Sequence, residues 1–65
     1  MTEAPAEIAR AAAAIEVAVI ALRLAEAAAD REGRKDAGDA LFAVRGVFEG
    51  FLGDVRGLID LWGEP

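Results

Sequence analysis

Residues 41–62 read LFAVRGVFEGFLGDVRGLIDLW, and the spacing of the large apolar side chains in this stretch decides the fold. Leu41, Val44, Phe48, Phe51, Val55, Leu58 and Trp62 follow one another at 3, 4, 3, 4, 3 and 4 residues. That alternation holds successive side chains on one face of an α-helix, as in a coiled-coil seam, and Val47, Leu52 and Ile59 widen it. A strand would instead alternate at every second residue between turn signals, and no such stretch occurs. The seam is expected to carry the core and the oligomer contact together. A ligand groove lined by Phe48, Phe51 and Trp62 is the sharper alternative.

Between the large residues runs a second stripe. Gly46, Gly50, Gly53 and Gly57 recur at 4, 3 and 4 on the face away from the seam. Glycine inside a helix costs about 1 kcal/mol relative to alanine, so the four together forgo about 4 kcal/mol and should be compensated. Close helix contact is the expected compensation, because missing side chains let two backbones approach and gain dispersion contacts. The alternative is that Gly50 and Gly53 break the helix, which would make the chain a three-helix mini-bundle.

Upstream of the seam, Asp36 reads as an N-cap with Asp39 as the capping-box acid three residues on. The connector centres on Glu32-Gly33-Arg34-Lys35, with Gly33 as the helix stop. The first helix is expected over about 3–31, the connector over about 32–36 and the second helix over about 37–62, in one domain. Thr2 is the candidate first cap, Pro5 fits the first turn, and Glu3 and Glu7 suit the positive end of the helix dipole.

Within the first helix Ala11, Ala14, Ala18, Ala21, Ala25 and Ala28 recur at 3, 4, 3, 4 and 3. Pairing of Ala14, Ala18, Ala21 and Ala25 with Gly46, Gly50, Gly53 and Gly57 would close a tight antiparallel pair, although alanine's high helix propensity also accounts for such a stripe. The larger residues fall on two sides of it: Ile8, Ile15, Val19 and Leu22 on one, Val17, Ile20 and Leu24 on the other. One partner helix cannot cover both sides and also bury the wide second seam. A lone hairpin would expose a large apolar patch. The fold expected is therefore all-α: an antiparallel two-helix hairpin that completes a four-helix bundle by homodimerisation.

Size points the same way. A chain of 65 residues forms one domain with little margin of stability, and disulfides, metals or association normally supply the difference. Cysteine and histidine are absent, which leaves no disulfide and removes most transition-metal sites. Serine, tyrosine, asparagine and glutamine are absent as well, and Thr2 is the sole hydroxyl. An activated nucleophile with a base beside it cannot be assembled from such residues, and Lys35 lies in a solvated run of charge. Neither enzyme activity nor a cofactor is expected.

Counted as a calcium loop from Asp30, the connector has Arg34 at the fifth position, Lys35 where glycine is required and Leu41 where the bidentate glutamate belongs. It is a solvated turn. Glu26 and Asp30 could share a weak divalent ion, but exposed carboxylates beside Arg23 are the plainer reading. Arg31, Arg34 and Lys35 place positive charge near the end of the first helix, where the dipole favours it.

The net charge of −5 divides unevenly: residues 1–35 carry six acids and five bases, residues 36–65 six acids and two bases. Direct nucleic-acid binding is disfavoured, since it rests on basic surface. The stretch Ala11 to Ala29 has the length of a membrane span, but Glu16, Arg23 and Glu26 each cost about 2.5–3.5 kcal/mol at the bilayer centre. No targeting segment is evident; a membrane role is not expected, and a cytoplasmic setting is expected. The leading functional expectation is a non-enzymatic interaction or structural module that pairs with itself and with an unidentified protein. One alternative is a small acidic inhibitor of virus or plasmid type, mimicking nucleic acid and docking Glu49, Asp54 and Asp60 on a basic target. A lipid- or small-ligand-binding bundle is the other.

Overall fold

The computed structural model describes residues 4–63, which form two helices and no strand. Helix α1 spans Ala6–Arg31 and α2 spans Lys35–Trp62. Thr2 and Glu3 lie outside the described residues. Twelve of the 26 residues of α1 are alanine, so local propensity alone favours the helix. Pro5 occupies the N-cap with φ −55°, and its carbonyl accepts a bond from the Ile8 amide at 3.0 Å.

Three residues turn the chain back. Gly33 takes φ +69°, its amide donates to the Asp30 carbonyl at 3.1 Å, and the Arg34 amide reaches the Ala29 carbonyl at 2.8 Å. These two bonds form a Schellman motif and satisfy carbonyls that the helix end would otherwise leave open. Arg34 serves twice, because it is also the N-cap of α2 and its carbonyl accepts the Gly38 amide at 2.9 Å. The expected cap at Asp36 is therefore corrected. The tight turn leaves no extended residue there, and Asp36 lies in the first turn of α2 beside Arg34, with Nε and Oδ1 3.4 Å apart.

The short connection makes the helices antiparallel neighbours. From α1, Ile8, Ala12, Ile15, Val19, Leu22, Glu26 and Ala29 are buried or half-buried, spaced 4, 3, 4, 3, 4 and 3. From α2 the answering series is Gly38, Leu41, Arg45, Phe48, Leu52, Val55 and Ile59. Helix α2 runs unbroken through Gly46, Gly50, Gly53 and Gly57, so the three-helix alternative does not occur. Packing of Leu52, Val55 and Ile59 against α1 supports the glycine-rich segment from its other side.

Such a pair builds only a thin core. Val19 and Ala29, at 6% exposure, are the most buried apolar residues described. The molecule measures 51 × 15 × 10 Å with a radius of gyration of 15.2 Å, against about 11 Å for a compact domain of this length. No helix among the described residues is long and apolar enough to cross a membrane.

Candidate interaction surface

The heptad seam splits between two faces. Leu41, Phe48 and Val55 turn toward α1, whereas Val44, Phe51, Leu58 and Trp62 remain exposed. Arg45, Leu52 and Ile59 complete the internal contact in their place. Sequence spacing alone misses this rotation, because it treats Arg45 as surface and Leu52 and Ile59 as mere margin.

Arg45 supplies a physical reason for it. Its Nε donates to Glu26 Oε2 at 2.5 Å and its Nη2 to Glu26 Oε1 at 3.3 Å, a forked bond across the helix pair. Its Nη1 donates to Glu49 one turn along, and Arg23 approaches the same Glu49 carboxylate at 3.8 Å. Hydrogen bonding first to Glu26 and then to Glu49 holds the guanidinium pKa above its ordinary value, so Arg45 stays charged. The Phe42 ring, 5.1 Å from Arg45 Cζ, adds a cation–π contact. Farther from the turn, Arg56 Nη2 donates to Glu16 Oε2 at 3.4 Å. Opposite charges thus form a ladder along one edge of the hairpin.

The other edge follows from helix periodicity. Two residues along a helix rotate the side chain by about 200°, which carries it from one flank of a contact seam to the other. Stepping two residues from Glu16 and Arg23 reaches Ala18 and Ala25; stepping two from Glu49 and Arg56 reaches Phe51 and Leu58. The side opposite the ladder is therefore alanine from α1 and large apolar residues from α2. Between Ala11 and Ala28 its α1 stripe carries no charge, and Asp54 stands at the outer margin of its α2 half. Val17, Ile20 and Leu24 form a separate exposed ridge on the back of α1, with Leu24 at 67% exposure.

The expected pairing of alanine with glycine is not made within the hairpin. A Cβ added to Gly46, Gly50, Gly53 or Gly57 would meet nothing within 4 Å. Ala14 and Ala21 are exposed, and Ala18 and Ala25 are half-buried. The stripes point to different sides, because the glycines lie beyond the charged ladder and the alanines lie opposite it. The close approach falls instead at the turn, where a Cβ on Gly38 would sit 3.9 Å from Ala29 Cβ. No contact among the described residues explains the four glycines.

Of the acidic candidates, Glu49 is engaged by Arg45 and Arg23, while Asp54 and Asp60 are exposed. Among the described residues no group of acids is placed to hold a metal ion. A shallow depression of about 460 Å³ lies at the turn end, lined by Glu26, Asp30, Arg34, Lys35, Asp39 and Phe42 with two glycines. It contains none of Phe48, Phe51 and Trp62, the residues expected to line a ligand groove. No protein-family model, curated protein or solved structure matches the chain.

Proposed function

We propose that the chain is a non-enzymatic interaction module whose hairpins associate with one another and present the outer ridge of α1 to a second protein. The observation that carries this reading is unburied apolar surface. Among the described residues ten large apolar side chains are at least 42% exposed, including Val17, Ile20, Leu24, Phe51 and Leu58. The chain exposes 4813 Å², whereas a compact monomer of 6.8 kDa exposes about 4,000 Å². The excess of about 800 Å² is the share that each partner buries in a standard protein interface.

The acidic-inhibitor reading has less support, since the ladder uses Glu49 and leaves Asp54 and Asp60 as a sparse acidic surface. Ligand binding through the aromatic seam is weakened in the same way, because Phe48 faces α1 while Phe51 and Trp62 are exposed.

Sedimentation equilibrium in low and high salt tests the proposal. Apolar association is not screened by ions, so the mass should be a multiple of the chain mass and unchanged at 1 M salt. A monomer at every loading, or an assembly that salt dissolves, would contradict it.

A further inference from the structure

We propose that the side of the hairpin opposite the charge ladder binds a second copy related by a two-fold axis parallel to the helices, so that α2 of each protomer lies over α1 of the other. The inference deepens the self-association reading and rests on it. Three observations select this occupant and this axis.

The first is area. The elongated hairpin exposes about 800 Å² more than a compact chain of its mass, an area of the size one partner gives to a standard interface, and a two-fold operator lets the same face serve both copies. The second is the size of the side chains. On this side α1 is lined by alanine and α2 by Val44, Phe51 and Leu58. A parallel axis sets large against small at both contacts, the arrangement that fills space evenly. A two-fold axis lying across the helices would instead set alanine on alanine and Phe51 near its own copy, one contact too close and the other too wide for a common spacing.

The third is register. A Cβ on Gly38 would sit 3.9 Å from Ala29 Cβ, and the buried series set Leu41 against Glu26, Phe48 against Val19 and Val55 against Ala12, so residues whose numbers add to about 67 stand at one height along the hairpin, and the long Arg–Glu pairs reach a further turn. Val44 lies within two residues of the height of Ala25, Phe51 of Ala18 and Leu58 of Ala11. A parallel axis preserves height, so each large side chain of one copy meets an alanine of the other, one heptad after the next. Every neighbouring helix pair is then antiparallel, which suits the helix dipoles. Both turns fall at one end. Their charges, Asp30, Arg31, Glu32, Arg34, Lys35 and Asp36, cancel within each turn.

Because the chain has no cysteine, disulfide trapping reads the axis directly. Full-length Ala25→Cys and Val44→Cys chains are made separately, refolded alone and together, and oxidised, with products identified by mass. The proposal expects a disulfide dimer containing one chain of each kind in the mixture and little from either variant alone. Cross-linking of Ala25→Cys or Val44→Cys chains to themselves would overturn it in favour of an axis across the helices. No cross-link in variants that sediment as dimers would overturn it in favour of another face. A monomeric mass for the unaltered chain would remove self-association itself, and is read from sedimentation independently of any disulfide.

Discussion

Phe48 and Phe51 meet edge to face, with ring centroids 6.3 Å apart and planes at 81°, yet the two rings lie on different faces of α2. Phe48 is half-buried toward α1, and Phe51 is 52% exposed. The pair joins the hairpin's own core to its outer side. In an assembled bundle both rings are core residues.

Truncation separates the two situations. Phe48→Ala should destabilise by about 3 kcal/mol in any account of the fold. Phe51→Ala should cost about as much if the outer side is buried by association, but only about 0.5 kcal/mol if the hairpin stands alone. Urea unfolding of both variants at matched concentration, with mass by sedimentation, distinguishes the cases. Phe51→Ala should also weaken assembly.

The fold was legible in the sequence because its signals are local. Period, glycine punctuation and chain length sufficed for two antiparallel helices, and the set Ile8, Ile15, Val19 and Leu22 does face α2. The rotation of α2 was not legible. It depends on Arg45 reaching Glu26 nineteen residues away, a contact that apolar periodicity ignores. For the same reason the glycine and alanine stripes looked complementary when they lie on opposite edges: spacing places residues on a face of one helix but does not say which faces meet.

Gly50→Ala and Gly53→Ala test the position of the glycine stripe. Each Cβ enters open space, so the gain in helix propensity should be uncompensated, about 1 kcal/mol per site. Thermal melts should shift upward for the double variant with no change in oligomer mass. A lower melting temperature or a smaller mass would place the glycines in an assembly contact.

Charge reversal should act unequally on the acidic residues of α2. Glu49→Lys would set a lysine beside both Arg45 and Arg23 and should lower the melting temperature. Asp54→Lys and Asp60→Lys remove exposed carboxylates and should shift stability by about 0.5 kcal/mol or less. Circular dichroism melts of the three single variants provide the comparison; equal behaviour would mean that the ladder does not form.

Gly33→Ala isolates the turn. Its Cβ would meet nothing within 4 Å, so the penalty comes from φ +69° alone, about 1 kcal/mol. For a domain of this size that corresponds to a fall of about 4–8 °C in melting temperature. No loss would indicate that the turn relaxes to another geometry.

If hairpins associate as proposed, folding and association are one event, because the hairpin's own core, around Val19, Ala29 and Leu52, is thin. Melting followed by circular dichroism across a hundredfold dilution tests this most directly, with sedimentation at each end of the range. The account predicts that melting temperature falls on dilution by mass action, and that helicity is lost together with oligomer mass. A monomeric mass with full helicity and a melting temperature independent of concentration would contradict it.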